Sequence, residues 1–204
     1  MKASPLRAKP SKPRARRCKI CGKPFIASRP LQRACSPACA IESVERAKRA
    51  KAAAAARLDR VETKAKLEKS KTRSDRIKEA QTAFNKYIRL RAIRFGHACI
   101  SSGAPLRPGG VGGGFDCGHY RSIGSAPHLR FNLNNAWGQA KQDNRYGAGA
   151  SFEYRRGLIA RRGIEVVEAL EANNTVRKFD IEYLKRIIVI FKNKARRMER
   201  RMKC

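Results

Sequence analysis

Four cysteines near the N-terminus, in Cys18-Lys19-Ile20-Cys21 and Cys35-Ser36-Pro37-Ala38-Cys39, restrict what this chain can fold into more than any other stretch. Spaced C-x2-C and C-x3-C, four thiolates can close a tetrahedron around one Zn²⁺. A small and very basic segment needs such a staple to fold. Gly22 allows the positive backbone dihedral wanted just after the second thiolate. Ser36 is suited to cap a helix and Pro37 to begin it, which puts Cys39 in a first helical turn. Phe25 is the expected small core. Four sulfurs leave no open position, so this zinc would be structural. A redox CxxC with two unrelated cysteines is the competing reading. The opening segment MKASPLRAKPSKPRARR has no apolar run of the secretory type. Seven cysteines in a chain of that kind favour metal over disulfides in a reducing cytoplasm, the expected location.

Charge narrows the partner. The 204 residues carry 48 Lys+Arg against 16 Asp+Glu, a formal net charge of +32. That excess bears on what the chain binds and not on its fold. A phosphate polyanion is the expected counter-charge, because each neutralised phosphate releases counterions. No membrane partner is expected, since no apolar stretch approaches the ~18 residues of a spanning helix.

The chain divides by pattern. Residues 1–17 read as a disordered basic arm and 18–40 as the zinc knuckle. Residues 41–73, rich in Ala, Lys, Arg and Glu without apolar periodicity, read as a solvated helical linker of roughly 45–50 Å at 1.5 Å per residue. Thr72 or Ser74 with Asp75 starts a new helix. Ile77, Ala80, Phe84, Tyr87 and Ile88 share one face of it, and Gly96 ends it. Cys99-Ile100-Ser101-Ser102-Gly103 has the look of a second knuckle turn. The glycines of RPGGVGGG (109–114) lack the GK[ST] of a phosphate loop and read as a hairpin loop. Helices follow over 151–204: Phe152, Leu158 and Ile159 on one, 164–172 as a second, and a last helix capped by Asp180. On the last helix Leu184, Ile188, Phe191, Ala195, Met198 and Met202 form a seam of about two and a half heptads. That seam either docks on the body of the protein or pairs two copies. The fold class is therefore α+β and mostly helical.

Between Asp116 and Gly149 lies the stretch with chemistry, DCGHYRSIGSAPHLRFNLNNAWGQAKQDNRYGAG. One histidine, His119, stands at a hairpin-like bend beside one carboxylate, Asp116. Two asparagines, Asn135 and Asn144, flank a short helical run. This order is similar to that of ββα-metal (HNH) nucleases, in which an imidazole takes a proton from water, an amide holds the imidazole, and oxygens hold a divalent cation. A structural His–Asp pair and asparagines serving as caps are the plain alternative. His128 reads as a surface or phosphate-contact residue.

From TRSDRIKEAQTAFN, CISSG, FDCGHYRS, APHLRFNLNNAWGQ and DNRYGAG, together with CKICG and ACSPAC, the chain resembles the NinG (Rap) family of phage lambda over about residues 18–201. The resemblance implies a recombination protein acting on branched DNA, a Holliday junction or D-loop, with a small HNH-like domain at 74–150. It further implies a recombinase as a partner and the host bacterial cytoplasm as the place of action. His119 is implied as general base, Asn135 as the residue orienting it, Asp116 and Asn144 as ligands of Mg²⁺ or Mn²⁺, and Arg121 and Arg130 as holders of backbone phosphates. The family's second set of zinc cysteines falls on Cys99, Ser102, Ala140 and Asp143. Three of those four positions no longer carry cysteine, so a tetrahedral site is not expected. At most Cys99 and Asp143 with Cys117 would hold a weak ion, and Asp143 reads otherwise as a solvated carboxylate. The expected activity is a metal-dependent endonuclease. Its rivals are a branched-DNA-binding accessory with a weak or dead nuclease, and a basic zinc-ribbon RNA binder.

Overall fold

The computed structural model of the protein describes residues 15–109, 114–145 and 150–203. The expected basic arm up to residue 14, most of the glycine-rich loop, residues 146–149 and Cys204 lie outside them. The chain forms two compact units, 1–70 and 71–204.

In the first unit, β1 (Ala15–Arg17) pairs antiparallel with β2 (Pro24–Ile26), Arg16 opposite Phe25. The end of the expected arm is thus a strand. The turn between them is a tight knuckle: Cys18 N donates to Lys23 O at 2.9 Å, Gly22 N donates to Cys18 O at 3.0 Å, and Gly22 has φ +73°. Only glycine adopts that φ without strain. Helix α1 (Pro37–Ser70) starts as its sequence requires, with Cys39 N donating to Ser36 Oγ at 3.3 Å. Its 34 residues bury no side chain, which explains the missing apolar stripe. At 1.5 Å per residue it reaches about 51 Å. Phe25, expected as the core, is only half-buried; the buried residue here is Cys18. With so little apolar burial, the four sulfurs are left as the means of holding this unit together.

The second unit begins at a capping box, with Thr72 Oγ1 accepting from Asp75 N at 3.2 Å and the Asp75 carboxylate accepting from Thr72 N at 3.0 Å. Helix α2 (Arg73–Arg94) buries Ala80, Ala83, Phe84, Ile88 and Ala92. A hairpin of β3 (Phe115–His119) and β4 (Ala136–Ala140) follows, with Asp116 opposite Gln139 and His119 opposite Ala136. Then come α3 (Lys141–Arg145), α4 (Ser151–Arg162), α5 (Ile164–Ala172) and α6 (Ile181–Lys203). Successive strand residues face opposite ways, so the hairpin serves two cores. Cys117 and Ala136 meet Phe84 and Ile88 of α2 and Leu184 and Phe191 of α6, while Trp137 meets Tyr154, Leu158, Val167 and Leu170 of α4 and α5. Leu184, Ile188, Phe191 and Ala195 of the α6 seam are buried within the chain, which packs α6 against α2, while Met202 at its end is exposed. Asp180 caps α6, accepting from Tyr183 N at 2.6 Å. On α4 the buried aromatic residue is Tyr154; Phe152, expected on the apolar face, is exposed.

Two glycines let backbones approach where a side chain could not. A Cβ on Gly118 would lie 2.0 Å from Gln139 Oε1, and one on Gly157 would lie 1.8 Å from the carbonyl oxygen of Ile100. The first keeps β3 clear of a buried glutamine. The second seats α4 directly on the turn that follows α2.

Candidate active site and metal centre

β3, β4 and α3 follow one another, with Asp116 and His119 on β3, Asn144 on α3, and Arg121, Arg130 and Asn135 in the loop between the strands. His119 ends β3. Burial draws its pKa below the ordinary value, outweighing the backbone carbonyls of Arg130 and Cys117, which favour the charged ring. Its Nε2 lies 3.1 Å from that carbonyl, and its ring stacks near Phe84 at 6.0 Å between centroids. A carbonyl can only accept, so Nε2 carries the proton and Nδ1 of the neutral ring is the basic nitrogen.

Asn144, on α3, donates from Nδ2 to Asp116 Oδ2 at 3.4 Å, and Arg145 Nε meets the same oxygen at 3.3 Å. A cleft of about 440 Å³ takes lining from both faces of the hairpin: His119 and Cys117 from one, Tyr120 and Gln139 from the other, with Asn144 and Arg145 from α3. Asp116 does not line it directly. Three positions from His119 on a strand, it faces the other way and stands behind Asn144 and Arg145. Another hollow, of about 600 Å³ beside Arg73, Phe179 and Asp180 at the start of α6, contains none of the candidate residues.

Asn135 is not where the resemblance implied. Wholly buried, it accepts from Arg121 N at 2.9 Å on Oδ1 and donates from Nδ2 to Arg121 O at 3.0 Å and Leu129 O at 3.3 Å. It clamps the loop between the strands, and that loop carries the Arg130 carbonyl that holds His119. Its action on the imidazole is thus indirect. Arg121 differs from expectation more sharply. Its guanidinium donates to the carbonyls of Leu170, Glu171 and Asn173 and to Asn174 Oδ1, capping the C-terminal end of α5. A side chain so engaged is not available to a phosphate. His128 does similar work, with Nε2 2.7 Å from Asn173 O. Arg130 is half-buried, and its Nη1 donates to Gln81 Oε1 at 3.3 Å.

The four positions of the second zinc set converge without three of the cysteines. Asp143 Oδ2 accepts from Cys99 Sγ at 3.0 Å and from Ser102 Oγ at 2.7 Å, and Ala140 N donates to Cys99 Sγ at 3.2 Å. The turn itself repeats the first knuckle. Cys99 N donates to Ala104 O at 2.8 Å, Gly103 N to Cys99 O at 3.0 Å, and Gly103 has φ +72°. A carboxylate with two donors stands at the centre of this turn, so Asp143 is not the solvated group expected. Cys117 does not join it: it packs toward α2, its thiol pushed up to about 12 by burial.

Metal-binding potential is concentrated in the first unit. The sulfurs of Cys18, Cys21, Cys35 and Cys39 all lie within 4.8 Å of one another, and among the described residues no other His/Cys/Asp/Glu group of three or more meets that condition. Sulfurs around a tetrahedral zinc sit about 3.8 Å apart for Zn–S bonds of about 2.3 Å; Cys21–Cys35 is 3.4 Å and Cys35–Cys39 3.7 Å. Backbone N–H groups of Cys21, Ile20 and Cys35 draw the Cys18 thiol down to about 6, while its neighbour Cys21 and burial raise Cys35 to about 12. Thiols this close oppose one another's ionisation, and a shared cation relieves that opposition. The cluster can hold a metal such as zinc. The sequence reading passed over Arg145 and the Tyr120–Glu171–Arg155 contact that ties α5 to the hairpin. Neither leaves a local pattern, because the partners are far apart in the chain.

A family model described as Bacteriophage Lambda NinG protein matches residues 10–201. Protein ninG of Escherichia phage lambda is 36% identical over 199 residues, 91% of this chain and 94% of the relative. Protein ninG of Enterobacteria phage H19B is 36% identical over 188 residues, 87% of this chain and 90% of the relative. That of Salmonella phage P22 is 34% identical over 126 residues, 62% and 59%. No solved structure matches.

Proposed function

Since the chain belongs to the NinG family of bacteriophage lambda, we propose that it is a divalent-metal-dependent endonuclease that cuts branched DNA intermediates of recombination in the host cytoplasm. The observation that carries this reading is His119: a ring held by the Arg130 carbonyl, kept neutral by burial, and lining one cleft with Asn144. Nδ1 takes a proton from water, the water oxygen bonds to phosphorus, and the bond from phosphorus to the 3′ oxygen breaks. Arg130 holds a neighbouring phosphate. The donor set of one carboxylate and one amide suits a hard cation that keeps most of its water. Asp116 and Asn144 would hold Mg²⁺ or Mn²⁺, which supplies positive charge against the crowded phosphorane and the leaving oxygen. Zinc at the four N-terminal cysteines has a structural role.

The pairing of Asp116 with Arg145 favours a second reading, a branched-DNA-binding accessory that does not cut. Incubation of junction and linear DNA with Mg²⁺, Mn²⁺ or EDTA separates the two. Metal-dependent nicking that His119→Ala abolishes is the result expected of the enzyme. Junction binding without product under any metal would leave the accessory.

A further inference from the structure

We propose that one face of α2, through Gln81, Asn85 and Arg89, forms with Arg130 a track for the DNA sugar–phosphate backbone leading to His119. This rests on the DNA-cutting reading above and adds residues to it from a helix whose evident role is packing. The three residues are spaced i, i+4 and i+8, so they share one flank of the helix. Each is half-buried, beside the face that packs on the hairpin.

The contacts form a continuous line. Asn85 Oδ1 accepts from Gln81 Nε2 at 2.6 Å, Gln81 Oε1 accepts from Arg130 Nη1 at 3.3 Å, and the Arg130 carbonyl holds His119 Nε2 at 3.1 Å. Arg89 lies one turn beyond Asn85 on the same flank and is itself half-buried.

What points to a phosphate is the state of Arg130. Burial draws its pKa down, and no charged group offsets that cost. Its hydrogen-bond partner is an amide, and among the described residues no carboxylate pairs with it. A half-buried guanidinium without an acid is completed by an anion that arrives with the ligand. Amides along the same flank suit phosphate and sugar oxygens, contacts that fix register without reading sequence. Elsewhere α2 uses its charges differently: Glu79 pairs with Lys71 and Lys192, and Lys86 with Glu199. Arg91 and Arg94 donate to backbone carbonyls, and Arg89, on the flank toward His119, pairs with no carboxylate among the described residues.

The test is equilibrium binding of the full, zinc-loaded chain to a fluorescent four-way junction over a salt series, without added divalent metal so that nothing is cut. Arg89→Ala is expected to lower the salt slope by about 0.9 and weaken binding roughly eightfold at about 0.1 M salt, the loss for one phosphate contact. Arg89→Lys is expected to restore the slope, and Asn85→Ala to weaken binding without changing it. Unchanged slope and affinity in Arg89→Ala, with the thermal midpoint preserved, would overturn the track. If Arg89→Ala alone lowers the thermal midpoint, Arg89→Gln takes its place under the same criterion. Tighter binding of RNA than of junction, with the Arg89 effect confined to RNA, would also overturn it. The nuclease reading fails separately, if wild-type protein binds the junction but never nicks it with Mg²⁺ or Mn²⁺; the slope result stands in either case.

Discussion

In the proposed reaction His119 serves as the base from the end of a short strand, without a second acidic group beside it. Burial keeps the ring neutral and a backbone carbonyl fixes which nitrogen is basic. Because the folded pKa lies below the ordinary 6.5, the acidic limb of the nicking rate is expected below pH 6.5, with a plateau above it. A pH–rate profile with metal held constant checks this; a limb rising above pH 7 would contradict it. Asp143 makes a claim of another kind. In Asp143→Ala the Cys99 thiol and Ser102 hydroxyl lose their shared acceptor, and a loss of about 1–3 kcal/mol is expected in urea unfolding of the chain. His119, Asn144 and the converging Cys99 set were legible in the sequence because each lies in a short ordered motif. The true partners of Asn135 and Arg121 were not. Arg121 meets Leu170, Glu171 and Asn173 some fifty positions away, and nothing near a basic residue tells whether it caps a helix or faces solvent.

Among the elements, helix starts were the most legible. The Thr72–Asp75 box, Ser36-Pro37 and Asp180 each satisfy the first free N–H groups of a helix with a local side chain. Which face of a helix would be covered was less so, as Phe152 shows, since that depends on what lies opposite. The connection between α5 and the hairpin loop gives a decisive comparison. Arg121→Ala removes the cap of α5, and a destabilisation of about 1–3 kcal/mol is expected, with the salt slope of DNA binding unchanged. A reduced slope at undiminished stability would return Arg121 to the phosphate contacts. Gly157→Val is expected to cost more, since even a Cβ meets the Ile100 carbonyl and either the α4 helix or the turn must shift. Thermal melts of the two variants side by side rank these effects.

At the scale of the molecule, the chain joins a unit with little apolar burial to one with two apolar cores. Stability of the second unit is expected to fall as pH drops below about 6.5. The sign follows from His97 and His119, both with pKa values lowered by burial. The unfolded chain binds those protons first, so stability rises with pH through that window and levels above it. Thermal midpoints between pH 5 and 8 check this. The two knuckle turns, alike in backbone, differ in what stands at their centre: four sulfurs in one, a carboxylate between a thiol and a hydroxyl in the other. On the proposed structural role of zinc, a chelator is expected to unmake only the first unit, residues 1–70, and to leave the unit bearing His119 folded.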